Sequence, residues 1–201
     1  MKKKIAEIYN LLDVSPRDAD YLARNYVTES NDQSEIDELN WARAYALVAL
    51  ENYVEAKQIW LDIFNRTKSH KALHQVGYVE RSAGNIETAL SIYENESKLI
   101  TSNDHVALGA NLYELSYCNF LKGNNERALH FFHNYELINF EEPDLIERAC
   151  FYRLKGDLLA GSDVESAKVA YMKSEEYFKE ANDDIGSLEI ISRLLDLKNR
   201  M

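Results

Sequence analysis

The chain has 201 residues, with 23 basic and 34 acidic side chains and a formal net charge of −11. Its 46% hydrophobic and 28% charged content is that of a globular chain and excludes a disordered one, and the acidic balance excludes a general phosphate-backbone binder. Seven glycines and two prolines are too few for the turns of a β-sandwich or the loops of a parallel sheet, so an all-α fold is expected.

In chain order, Lys2-Lys3-Lys4 opens a helix over residues 3–13 and reads as a solvated start, not a nucleic-acid or lipid patch. The residues that follow lack the apolar run of a secretory signal. Ser15 and Pro16 start a second helix as N-cap and first helical residue. Asn31-Asp32-Gln33-Ser34 is a polar connection, after which Ser34 and Asp37 begin the next helix. The most apolar stretch, Trp41 to Leu50, carries Arg43 and is too short to cross a bilayer. Cys118 and Cys150 each sit in a helical apolar pattern and read as buried free thiols. Pro143 marks the start of a long helix over 142–160. Residues 183–199 read as a final helix whose Ile185, Leu188, Ile191, Leu195 and Leu197 are expected to cover the last repeat. These features together lead to the expectation of a cytoplasmic protein without metal or cofactor.

A cadence runs through the chain. Ala56, Ala89, Ala128 and Ala167 are each followed four residues later by an aromatic, Trp60, Tyr93, Phe132 and Tyr171, and the alanines are spaced by 33, 39 and 39 residues. Asn52, Asn85, Asn124 and Asp163 precede these helices and suit N-caps. A small residue permits the closest approach of two helices, and a ring one turn on fills the wider gap. Gly84 and Gly123 suit the left-handed end of the preceding helix; Glu51 and Ser162 stand in their place elsewhere, so different turn geometry is expected there. Partner helices carry Leu73, Val76 and Gly77, then Leu112, Leu115 and Ser116, then Phe151, Leu154 and Leu158. In the first repeat Asn40 and Arg43 fall on apolar positions, which suggests a set shifted to Trp41, Ala44 and Val48.

This pattern resembles the tetratricopeptide repeat, a helix–turn–helix unit of about 34 residues. Gly77, Gly84, Ala89 and Tyr93 match it, as do Gly123, Ala128 and Phe132 with Ser116 in place of a glycine. The longer spacing is similar to the extended repeats of bacterial Rap/PlcR-type and MalT-like regulators, without their effector domains, since about 35 residues precede the array. The resemblance implies a right-handed α-α superhelix of four to five hairpins: a helical hairpin over 1–35, four repeats over 36–181 and a capping helix over 182–201, all in one domain.

In such an array the first helix of each pair lines the inner surface. The alignment projects onto it a row of Trp41, His74, Tyr113 and Tyr152, a row of Tyr45, Tyr78, Tyr117 and Gly156, and a row of Val48, Arg81, Phe120 and Leu159. These rings either fill the space between helices or form a concave surface for a peptide or protein segment, to which Tyr and Trp are suited. Arg81 and His74 could orient a carboxylate or carbonyl. The lysines and asparagines that clamp chaperone C-termini in some tetratricopeptide domains are absent from these rows.

Catalytic patterns are lacking. His130 and His133 lie three apart with Glu126 nearby, but the polar face reads as solvent-exposed. No phosphate loop or nucleophile elbow occurs. The expectation is a non-catalytic protein- or peptide-binding scaffold whose acidic surface favours a basic partner, with a peptide-sensing regulatory module as the alternative. Self-association through an exposed edge is a further possibility; nucleic-acid and membrane partners are not expected.

Overall fold

Short polar turns cut the chain into helices where the cadence marks them. The computed structural model describes residues 2–138 and 144–199, and among these are eleven α-helices and no strand. They are α1 (Lys2–Leu11), α2 (Pro16–Glu29), α3 (Gln33–Ala49), α4 (Tyr53–Thr67), α5 (His70–Ser82), α6 (Ile86–Glu96), α7 (His105–Leu121), α8 (Asn125–Glu136), α9 (Leu145–Leu159), α10 (Val164–Glu180) and α11 (Asp184–Asn199). Two compact units result, Met1–Thr101 and Ser102–Met201. In the first, the hairpins are α1–α2, α3–α4 and α5–α6; in the second they are α7–α8 and α9–α10, followed by α11 on α10. Pro143, read as a helix start, lies outside the described residues; α9 begins at Leu145, and the Asp144 carboxylate caps it by accepting from the Glu147 amide at 2.7 Å.

The close approach inside each hairpin follows from one pairing. The four cadence alanines are fully buried, and the rings one turn on, Trp60, Tyr93, Phe132 and Tyr171, are buried, Trp60 and Tyr93 completely. Opposite the ring stands a residue with almost no side chain. A methyl added at Gly77 would sit 2.6 Å from the Tyr93 ring, and one at Gly156 would collide with Tyr171. Ser116 is the corresponding residue of α7; it is fully buried, and its Oγ donates to the Ala128 carbonyl at 2.8 Å. In α3, Ala44 shares a core cluster with Trp60, around which Trp41 and Val48 pack half-buried. Arg43 keeps its interfacial position beside them because its guanidinium is paired with Asp20 at 2.8 Å and with Glu55.

The turns correct two expectations. Glu51 takes the left-handed conformation (φ 58°), as Gly84 (φ 81°) and Gly123 (φ 76°) do, so the first turn has the same geometry without a glycine. In all three, the next amide reaches back five residues: Asn52 to the Leu47 carbonyl at 2.8 Å, Asn85 to Glu80 at 2.8 Å and Asn124 to Asn119 at 2.9 Å. The three asparagines make no side-chain cap bond; Asn85 Nδ2 instead donates to Glu80 Oε2 at 2.8 Å. Only Asp163 caps in the expected way, accepting from the Ser166 amide at 3.0 Å.

The last helix packs by a different face from the one expected. Gly186 meets the Phe178 ring, and Ile190 and Leu197 are buried, whereas Ile185, Leu188, Ile191 and Leu195 are 81%, 65%, 38% and 58% exposed. The helix is apolar on two sides, and α10 covers one. Cys118 is buried and Cys150 half-buried, and neither forms a disulfide.

Gly77→Ala is expected to lower stability in denaturant unfolding by about 1–3 kcal/mol through overpacking against Tyr93. Combined with Tyr93→Leu, the two losses should sum to less than their separate values, since the ring is the obstacle; strictly additive losses would contradict the pairing. Glu51→Gly relieves a left-handed residue and is expected to raise stability by up to about 1 kcal/mol in the same assay.

Candidate functional site

The residues projected onto the inner surface are half-buried except Gly156, which is buried against the Tyr171 ring and lines no open surface. In the first unit, Trp41 and Tyr45 of α3 meet the fully buried Trp60 edge-on, at centroid distances of 6.1 and 5.1 Å. Tyr9 of α1 stands 6.3 Å from Tyr45. Burial pushes both phenols above their ordinary pKa. Trp41, Tyr9, Ile5, Asp37 and Glu38 line a cavity of about 290 Å³. On α5, the Arg81 guanidinium lies 5.4 Å over the Tyr78 ring. His74 is held differently: its Nδ1 is 3.0 Å from the carboxylate of Glu96, which is only 1% exposed, and its ring packs 5.3 Å from Tyr93. That pair ties α5 to α6 and leaves His74 engaged within its own hairpin.

In the second unit, Tyr113 and Tyr117 of α7 stack at 6.0 Å. The residue of α9 that joins them is Arg153, not Tyr152. Arg153 Nη2 donates to the Tyr113 hydroxyl at 2.9 Å, and its guanidinium lies 5.7 Å from the Tyr117 ring. The reason is register. Sixteen residues separate Ala44 from Trp60, Gly77 from Tyr93 and Ser116 from Phe132, but fifteen separate Gly156 from Tyr171. The fourth turn is one residue shorter, with Asp163 N bonded to the Leu159 carbonyl at 2.8 Å and no left-handed residue between them. One residue is about 100° of helix rotation. It carries Tyr152 out of the row and onto Tyr177, where the rings stack at 5.7 Å with the Lys173 ammonium 5.0 Å from Tyr152.

Arg153 begins a charged relay that sequence reading missed. Its Nη1 donates to Glu189 Oε2 at 2.8 Å; Arg193 Nη1 donates to Glu189 Oε1 at 2.7 Å, and Arg193 Nε to Asp157 Oδ1 at 2.9 Å. The Tyr171 hydroxyl donates to the same Asp157 oxygen at 2.8 Å. Helices α7, α9, α10 and α11 are thereby joined through polar groups. Burial pushes the Tyr113 phenol strongly upward, against the pull of Arg153. Burial alone would raise Glu189, but Arg153 and Arg193 outweigh it and hold the carboxyl below its ordinary value. Phe120 lies in this unit on a cavity of about 540 Å³, together with Asp157, Tyr171, Arg193 and Asp196. Tyr152 lines a separate cavity of about 480 Å³ with Tyr135, Phe151 and Tyr177.

His130 and His133 are exposed on α8, and among the described residues no three His, Cys, Asp or Glu side chains converge as metal ligands. Among the same residues no helix is long and apolar enough to cross a membrane.

No protein-family model matches the chain, and no curated protein matches it. Solved structures do. A tetratricopeptide repeat protein from Parabacteroides merdae is similar over 96% of this chain and 70% of that one, at 21% identity with a TM-score of 0.70. A Rap protein complexed with Competence and Sporulation Factor is similar over 98% of this chain at 14% identity and a TM-score of 0.53; the chain spans 60% of that protein's length. The fold is tetratricopeptide-repeat-like.

Because the folded-state pKa of Glu189 is depressed, its stabilisation is present above the ordinary carboxylate range and lost as pH falls through the folded value. Glu189→Gln is therefore expected to melt at a lower temperature than the parent at pH 7, with the gap closing as pH is lowered toward about 3. A gap that is independent of pH in circular-dichroism melts would contradict the relay.

Proposed function

We propose that the chain is a non-catalytic scaffold that binds a protein or peptide segment, using the half-buried rings on the first helices of its hairpins. The observation that carries this reading is the position of Trp41: one edge rests on the buried Trp60, while the residue also lines an open cavity beside Tyr9. A ring anchored in this way is pre-ordered and loses little entropy when a partner covers its free face. Tyr45 and Tyr78 with Arg81 supply further half-buried rings in the first unit, and Tyr113, Tyr117 and Phe120 supply them in the second. His74 contributes through its neighbours, because Glu96 holds it. Tyr152 would contribute from the separate cavity it shares with Tyr177. A net charge of −11 steers basic segments toward the protein and repels nucleic acid, and it suits a role in the cytoplasm.

A second reading, a peptide-sensing regulatory module, is favoured by one observation. The similar Rap protein was solved with Competence and Sporulation Factor bound. The two readings differ in ligand size: a module of this kind responds to a short free peptide, a scaffold to a folded partner.

Tyr78→Ala and Tyr117→Ala, made together, are expected to leave the helical circular-dichroism signal intact and to weaken a copurifying partner by at least tenfold, about 1.4 kcal/mol, in a direct titration. Undiminished binding would move the site off these rows. A thermal shift with short peptides and no copurifying protein would select the sensing reading.

A further inference from the structure

The open side of α11 is the most apolar exposed helix face in the second unit. Ile185, Leu188, Ile191 and Leu195 recur at intervals of three, three and four residues, the spacing of a helix-packing seam, and all four are exposed. The helix turns these aliphatic side chains outward although Gly186, Ile190 and Leu197 already pack on its other side, with Gly186 against the Phe178 ring of α10. We propose that a second copy of this chain covers the stripe, with the two α11 helices packed antiparallel about a two-fold axis.

Two features select that occupant. The stripe is nearly palindromic, so antiparallel helices crossing near Glu189 and Ile190 place Ile185 over the partner copy's Leu195 and Leu188 beside its Ile191. The ends are also self-complementary in charge. Asp184 occupies the first turn and Lys198 the last. Fourteen residues apart is close to four full turns, so both lie on the same flank of the stripe. A two-fold axis brings that flank against itself with the direction reversed, setting Asp184 of each copy near Lys198 of the other. The opposed helix dipoles favour the same orientation. Two copies of the stripe with their margins cover on the order of 1,000 Å², the lower edge of a specific interface, so a reversible dimer is expected.

Light scattering on the intact chain across a concentration series tests this. The expected result is a mass rising from one toward two chains. Leu188→Glu, at an exposed position that leaves the α10 contact untouched, should raise the concentration at half-dimerisation by at least tenfold with an unchanged circular-dichroism spectrum. Asp184→Lys and Lys198→Asp should each weaken the dimer, and the doubly exchanged chain should recover it. A parent chain that stays monomeric at every concentration overturns the proposal, as does a dimer indifferent to Leu188→Glu. Failure of the charge exchange to restore association would overturn the antiparallel arrangement.

Discussion

The structure rests on a steric fit made once in each repeat: a buried side chain with a ring presses against a backbone that offers almost nothing to collide with. Gly77 facing Tyr93 and Gly156 facing Tyr171 show it most plainly, since even a methyl group would overlap the ring. Ser116 meets the same demand with a hydroxyl that satisfies itself on the Ala128 carbonyl. The alanine one turn before each ring lets the helices close over it. Because the contact depends on shape and burial, it tolerates Trp, Tyr or Phe, and the turn that leads into it can be Glu, Gly or a shorter loop.

That constraint also sets the inner surface. Once Trp60 is buried, Trp41 and Tyr45 must lean on its edges, which fixes their orientation and leaves part of each ring uncovered. The second unit solves the same problem with charge. Tyr113 and Tyr117 are held by Arg153, and Arg153 by Glu189 on the last helix, so the surface there is braced by a relay running through α9 and α11. The two units thus present related rings on supports of different chemistry, aromatic in one and ionic in the other.

The hairpins were legible because the alanine and the ring sit on the same helix at a fixed interval, which no change in the turn can disturb. The preceding helix was less legible. The turn after Leu159 lost one residue, so Gly156 rather than Lys155 faces Tyr171, and every residue before it rotated by about 100°. Tyr152 left the row and Arg153 entered it. The glycine was the available signal: Gly156 is the one glycine of α9, and counting from it gives the correct row. The last helix misled for another reason. Its apolar residues populate two sides, and sequence periodicity does not say which side α10 takes; Gly186, which fits the Phe178 ring, decides it.

Native-state hydrogen exchange tests the ring-against-backbone pairing most directly. If the pairing locks each hairpin, amides of α5 around Val76 and Gly77 and amides of α6 around Ala89 to Tyr93 open together, with one shared free energy and one shared response to denaturant. The same equality should hold between α9 around Gly156 and α10 around Tyr171. Contradiction would come from one helix of a pair exchanging through a much smaller opening than its partner, since helices able to part without disturbing the ring would not be held by it.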